Sequence, residues 1–188
     1  MRLQEPVVND GKLAAHALLR SSRFSFVILA PICVFLGVAT AWSSGASIQL
    51  GVLALVLVAA VLAHMSVNLL NEYLDFKSGL DLLTQRTPFS GGTGFLPQQP
   101  DAARFVLLHA VITLLLSCAI GCYLVWKVGV GLLPLGFLGA FLVLSYTTVL
   151  NRSAWLCLIA PGVGFGGVIV LGAHYAMADH FDNSVLMA

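Results

Sequence analysis

The chain has 188 residues, of which 59% are hydrophobic and 9% are charged. Soluble domains contain about 45–50% apolar and about 25% charged residues, so this composition predicts a membrane protein. The formal net charge is +1, which gives no indication of nucleic-acid binding. The four cysteines lie in apolar runs without a Cys-x-x-Cys pair, and we interpret them as small helix residues rather than zinc ligands.

Five apolar runs are long enough to cross about 30 Å of hydrocarbon, which needs about twenty residues each. They predict an all-α, polytopic transmembrane bundle of about five membrane helices, at 24–43, 48–71, 104–126, 128–150 and 154–175. We expect a membrane domain at 24–175, preceded by a polar leader at 1–23 and followed by a tail at 176–188. The leader is either an amphipathic helix at the membrane surface or a solvated segment.

The basic residues fall almost entirely on one side of the predicted helices. Of the nine Lys and Arg residues, only Lys127 lies on the opposite side from the leader and the second loop. Because positively charged loops stay in the cytoplasm, this asymmetry predicts that the N-terminus and the second loop are cytoplasmic. We expect an integral protein of the cell inner (plasma) membrane.

Polar side chains share one face at the end of the second predicted helix. At about 100° per residue, His64, Asn68, Asn71 and Asp75 lie on a narrow face, with Glu72 beside them. Their amide and carboxylate oxygens are the donors that Mg²⁺ prefers, usually together with phosphates and water. Each residue alone could simply cap a helix where it meets water. The whole face favours a functional site, because polar groups in membrane helices are costly and usually functional.

A long polar loop continues from this helix, and together they form the predicted active-site segment 72–103. Lys77 and Arg86 add positive charge, and the segment from 90 to 94 can turn backbone N–H groups toward an anion. With the carboxylates, including Asp81, the segment predicts a metal–diphosphate site. A short helix that caps the site is expected, because loops of this length are usually functional when they are ordered.

The remaining helices are interpreted mainly as scaffold. The fourth ends near Tyr146 and Arg152, on the same predicted side as the loop; Tyr146 is either an aromatic at headgroup level or a contact of the site. In the fifth, Gly162 and Gly166 form a GxxxG pair, which predicts close helix packing.

Residues 68–81 have the sequence NLLNEYLDFKSGLD, and residues 86–94 have the sequence RTPFSGGTG. These segments resemble the first aspartate-rich motif and the following loop of the UbiA-type intramembrane prenyltransferases. The similarity favours the menaquinone-type branch, the 1,4-dihydroxy-2-naphthoate polyprenyltransferases. Residues 160–175 also resemble the corresponding helix of that branch.

The resemblance implies nine membrane helices around a central cavity and a Mg²⁺-dependent enzyme. Its partners would be a prenyl diphosphate and an aromatic acceptor in quinone biosynthesis. It implies catalytic roles for Asp75, Lys77 and Tyr146, metal ligation by Asn71, Glu72, Asp75 and Asp81, and substrate contacts from Asn68, Asn71, Arg86, Arg152, Ser90, Gly91 and Gly92.

The chain also departs from the family pattern. Glu72 stands where the family usually has Asp, and the family's second aspartate motif does not occur in the 188 residues. We therefore expect either a fragment or an incomplete enzyme that needs a complementing chain, with impaired activity alone. A competing hypothesis is a non-catalytic membrane subunit or a transporter, although a transporter should place its charges near the middle of the bilayer.

Overall fold

The computed structural model of the chain describes residues 10–83 and 92–187. Within those ranges it contains helices and turns and no β-strand, which confirms the predicted all-α class. The α-helices, in chain order, are α1 Asp10–Ser21, α2 Phe24–Val27, α3 Leu29–Ser43, α4 Leu50–Lys77, α5 Leu80–Leu83, α6 Phe95–Gln98, α7 Ala103–Lys127, α8 Leu132–Ser145, α9 Ala154–Gly162, α10 Val170–Ala178 and α11 Asn183–Leu186. Short 3₁₀ turns lie at Pro100–Ala102 and Leu150–Arg152, and a π-helical segment lies at Val163–Ile169.

Four helical stretches of the described residues are long and apolar enough to cross a membrane. They are Phe24–Ser43, Leu50–Lys77, Pro100–Lys127 and Ala154–Ala178. The run predicted at 128–150 is shorter, because α8 has 14 residues. At 1.5 Å per residue it rises about 21 Å, less than the hydrocarbon thickness of about 30 Å. Its apolar run is interrupted by turns on both sides of the helix.

The first span is broken near its start. The helix α2 ends at Val27 and α3 begins at Leu29, two residues before Pro31. Proline has no backbone N–H to donate to the preceding turn, which accounts for the break at this point.

The helices α4 and α7 pack against each other through small side chains. Ser66 Oγ donates to the Ala110 carbonyl at 2.9 Å, and Ser117 Oγ donates to the Ala59 carbonyl at 2.9 Å. Small residues let helix backbones approach closely within a membrane, and hydroxyls then bond across the interface. This pair fixes the position of α4, the helix that carries the predicted site.

Close packing of a glycine occurs at Gly37 of α3 rather than at the predicted GxxxG pair. A Cβ built at Gly37 would overlap the carbonyl oxygen of Val170 in α10, whereas a Cβ at Gly162 or Gly166 would meet no described atom within 4 Å. The GxxxG prediction is therefore wrong. It assumed α-helical spacing, but the π-helical segment that follows Pro161 does not keep that spacing.

The leader residues that the structure describes form α1, which lies across the end of the bundle where α4 ends. Leu13 and Ala17 are buried in one cluster with Phe95 and Leu96 of α6 and with Val106 of α7. The leader and the loop after α4 thus share a hydrophobic contact at the same end of the molecule, which is where the candidate site lies.

Candidate active site

A cavity of about 590 Å³ lies between α4 and the helices α2, α3, α8 and α9 with the π-helical segment. This volume is within the usual range for small-molecule sites. Most of its wall is apolar and includes Leu29, Val67, Leu142, Val143 and Phe165. The polar part of the wall comes mainly from α4.

The structure brings three residues of the predicted polar face together at this cavity: His64, Asn68 and Asn71. His64 is 7% exposed, and its ring lies edge-on to Phe165 with 4.7 Å between the ring centroids. Asn68 Nδ2 donates to the carbonyl of Ser22 at 2.9 Å, so this amide also holds the turn before α2.

Asn71 connects the cavity wall to the last turn of α4. Its Nδ2 donates to Asp75 Oδ2 at 2.5 Å, and Thr147 Oγ1 donates to Asn71 Oδ1 at 3.3 Å. The amide is therefore oriented from both ends. Its oxygen and the Asp75 carboxylate lie one helical turn apart at the same side of α4.

Glu72 faces a different set of partners. Its Oε2 accepts the Thr93 backbone N–H at 3.0 Å and the Arg23 Nη2–H at 3.3 Å. Its Oε1 accepts the Thr93 hydroxyl, and the residue is 0% exposed. The carboxylate is thus enclosed between the start of α2 and the end of the loop, and its hydrogen-bond partners differ from those of the Asn71–Asp75 pair.

Asp81 and Gly92 lie against each other. Asp81 is 3% exposed, and a Cβ built at Gly92 would lie 2.6 Å from Asp81 Oδ1. Gly92 has φ +70°, which a residue with a side chain rarely adopts. In this arrangement Gly92 faces a carboxylate, which is an unfavourable neighbour for an anion. Arg86, Ser90 and Gly91, also predicted substrate contacts, lie outside the described residues.

Two predicted basic contacts lie at the surface. Lys77 is exposed at the end of α4, with its Nζ 5.9 Å from the centroid of the Tyr73 ring. Arg152 is exposed in the 3₁₀ turn Leu150–Arg152. Neither side chain borders the cavity as described.

Arg23 borders the cavity, and sequence reasoning counted it only as leader charge. Its position directly before the first apolar run is the feature of the sequence that could have indicated a site residue. Phe165 was missed because it lies in the π-helical segment, where α-helical periodicity does not predict which side chains face inward. Tyr146 also lines the cavity, as the sequence allowed, with its hydroxyl 3.7 Å from Cys157 Sγ.

A protein-family model matches residues 29–188, most of the chain; its description is "UbiA prenyltransferase family". The chain belongs to the UbiA prenyltransferase family. No curated protein and no solved structure matched it. UbiA membership indicates a prenyl-transferring enzyme, and UbiA enzymes generally use a divalent metal ion.

The oxygen ligands at and beside the cavity fit a divalent metal ion only in part. Asn71 and Asp75 offer an amide oxygen and a carboxylate, and Mg²⁺ is often held by one or two carboxylates with phosphate oxygens and water. Glu72 does not fit, because its oxygens are bonded to Arg23 and Thr93. Across 10–83 and 92–187, no three His, Cys, Asp or Glu side chains are grouped to hold a metal. A metal at Asn71 and Asp75 would therefore depend on diphosphate oxygens for other ligands.

Proposed function

We propose that the protein transfers a prenyl group from a prenyl diphosphate to an aromatic acceptor of the 1,4-dihydroxy-2-naphthoate type, in menaquinone biosynthesis. The observation that carries this proposal is the cavity, which has apolar walls and has Arg23 and Asn71 at its polar side. Asp75 does not itself border the cavity but is hydrogen-bonded to Asn71. An isoprenoid chain needs the apolar walls, and a diphosphate needs the polar side. The choice of acceptor rests on the similarity of 68–81 and 86–94 to the menaquinone-type branch.

The reaction exchanges one bond for another. The allylic C–O bond breaks, and the diphosphate leaves with the electron pair. An electron-rich ring carbon of the acceptor then bonds to the allylic cation, and the proton of that carbon passes to the released diphosphate. The protein must stabilise negative charge on the leaving group and must keep water from capturing the cation.

Residues of this chain are suited to both tasks. Asn71 and Asp75 would hold Mg²⁺, which supplies charge neutralisation to the departing diphosphate. The Arg23 guanidinium would bind the diphosphate at the same wall, equally in the bound substrate and during the reaction. Phe165 presents an aromatic ring to the cavity, where it can stabilise a cation, and the aliphatic wall excludes water.

Four other predicted residues keep roles in the proposal. Tyr146 at the cavity wall would contact the acceptor. Lys77 and Arg152 would bind the diphosphate as it arrives or leaves, since long basic side chains at a surface can reach a nearby anion. Arg86 is assigned the same role from the sequence alone. The cytoplasmic side of the cell inner membrane supplies both substrates, which agrees with the charge asymmetry of the sequence.

Prenyl transfer in membranes that contain the protein tests this proposal. The membranes are supplied with radiolabelled farnesyl diphosphate and 1,4-dihydroxy-2-naphthoate, with 4-hydroxybenzoate as the alternative acceptor. We expect a prenylated naphthoate product, formed at the impaired rate that the sequence predicts for these 188 residues alone. It should disappear on addition of EDTA and be restored by Mg²⁺. Absence of product with both acceptors would contradict the proposal and favour a non-catalytic membrane subunit or a transporter.

A further inference from the structure

The carboxylate of Glu72 is hydrogen-bonded at both oxygens and enclosed by protein. Thr93 bonds it twice, through its backbone N–H and its hydroxyl, and Arg23 completes the set. A buried carboxylate is stable when it is paired and hydrogen-bonded in this way. A metal ion at Glu72 would have to displace these donors, which already satisfy its charge.

A second residue of α4, Asn68, holds the backbone next to Arg23. Arg23 has φ 51° and ψ 57°, a left-handed conformation that is uncommon for a residue with a side chain. The Asn68 amide donates to the carbonyl of the preceding residue, Ser22. Strained backbone persists only where its surroundings hold it. Asn68 and Glu72 thus hold the chain at the point where α2 begins.

The Thr93 side connects Glu72 to the start of α6. The Thr93 hydroxyl donates to Glu72 and accepts the N–H of Phe95 at 3.1 Å. Phe95 and Leu96 are then buried in the same cluster as Leu69 of α4. One carboxylate therefore fixes the end of the loop to the helix that lines the cavity.

We infer that Glu72 is a positioning residue and not a metal ligand: its carboxylate holds Arg23 at the cavity wall and holds Thr93 at the end of the loop. This inference rests on the proposed function only for the identity of the substrate. Glutamate is needed for the reach, because aspartate would withdraw the carboxylate by one C–C bond, about 1.5 Å. That displacement exceeds the tolerance of a hydrogen bond. This requirement for reach is a physical reason for Glu at a position where the family motif usually has Asp.

Metal binding distinguishes a positioning residue from a ligand. The probe is Mn²⁺ with farnesyl thiodiphosphate, followed by electron paramagnetic resonance. Glu72→Gln removes the charge and keeps the length, and Asp75→Asn makes the same change at the expected ligand. We expect Glu72→Gln to keep the Mn²⁺ affinity within about threefold and Asp75→Asn to lose about tenfold or more. Equal losses in the two variants would overturn the inference.

Steady-state kinetics give a second distinction. Loss of the Glu72 carboxylate releases Arg23, so Glu72→Gln should raise KM for the prenyl diphosphate about tenfold and leave kcat within about threefold. A metal ligand that acts on the departing diphosphate should instead lower kcat. A fall in kcat as large as that of Asp75→Asn would therefore contradict the positioning role.

Hydrogen exchange reports the contact itself, without metal or substrate. We expect Glu72→Ala and Glu72→Asp to speed exchange of the Thr93 amide about tenfold or more, because that N–H loses its acceptor. Thr93→Val should speed exchange of the Phe95 amide, and Thr93→Ser, which keeps the hydroxyl, should match the wild type. Unchanged exchange in both Glu72 variants would overturn the inference. If those variants fail to fold, the wild-type protein decides it, because the Thr93 amide should exchange slowly there. Rapid exchange of that amide in the wild type would overturn the inference.

These measurements separate this inference from the proposed function. If the wild-type protein binds no Mn²⁺ with the diphosphate analogue, the proposed function fails, and the exchange measurement still decides whether Glu72 holds Thr93. If Mn²⁺ binds and exchange is unchanged in the variants, the inference fails and the proposed function stands.

Discussion

Asn71 donates its side-chain N–H to the carboxylate of Asp75 one turn further along α4, over 2.5 Å. The same amide accepts a hydrogen bond from Thr147, in the segment that follows α8. Asn71 therefore sets the position of Asp75 relative to the cavity and to α8. Because catalysis by charge stabilisation depends on groups that are already oriented, we place this pair at the centre of the proposed site.

The charge of Asp75 should be essential for turnover. Asp75→Asn keeps the shape of the side chain but removes the negative charge that would hold Mg²⁺, so kcat/KM should fall about hundredfold or more. Asp101→Asn is the matched control, because Asp101 is an exposed carboxylate in the turn before α7. It should retain nearly full activity. Equal activity of the two variants in the prenyl-transfer assay would remove Asp75 from the mechanism.

Asn71 should act through orientation as well as through its oxygen. Asn71→Ala removes the donor to Asp75 and the acceptor for Thr147, and it should lower kcat/KM by about ten- to hundredfold. Thr147→Val removes one hydrogen bond to the same amide and should cost less than Asn71→Ala. Transfer rates measured on both variants check this order, and a larger loss from Thr147→Val would show that Asn71 has a different role.

The contact between α3 and α10 should be sensitive to the size of residue 37. Gly37→Ala places a methyl group against the Val170 carbonyl and should destabilise the fold by about 1–3 kcal/mol. Gly162→Ala is the control, because its Cβ meets no described atom within 4 Å. Thermal unfolding in detergent should give a lower midpoint for Gly37→Ala alone. Equal shifts would mean that the helices are not in close contact at Gly37.

The proposed orientation of the protein in the membrane can be tested at two exposed serines, which lie at opposite ends of the membrane-spanning helices. Ser78 follows α4 and Ser44 follows α3. In a background without the four native cysteines, Ser78→Cys should react with an impermeant thiol reagent only from the cytoplasmic side. Ser44→Cys should react only from the other side. The reverse pattern would invert the topology and place the site away from the cytoplasm.

The sequence predicted the α-helical class and the polar face of α4, because helical periodicity is a local property. It did not predict the partner of each side chain on that face. Glu72 and Asp75 are three residues apart, yet Glu72 bonds to residues 49 and 21 positions away in the chain. Partners at such separations follow from the packing of the whole bundle. For that reason the sequence grouped Glu72 with the metal ligands, and the structure assigns its oxygens to Arg23 and Thr93.

Irregular helices account for the other differences between sequence and structure. The apolar run at 128–150 was long enough for a full span, but α8 occupies only its central part. Phe165 and Gly166 lie in the π-helical segment. The α-helical repeat therefore did not predict that the Phe165 ring lines the cavity, and it wrongly predicted close packing at Gly166. A repeat predicts positions only where the helix keeps its regular geometry.

Calorimetric titration with farnesyl thiodiphosphate, in Mg²⁺ and in EDTA, compares the wild-type protein with Asp75→Asn. We expect Mg²⁺ to strengthen binding to the wild type about tenfold or more and to have little effect on the variant. Binding that is equally tight in all four combinations would contradict the claim that Asn71 and Asp75 hold a metal–diphosphate complex at the cavity.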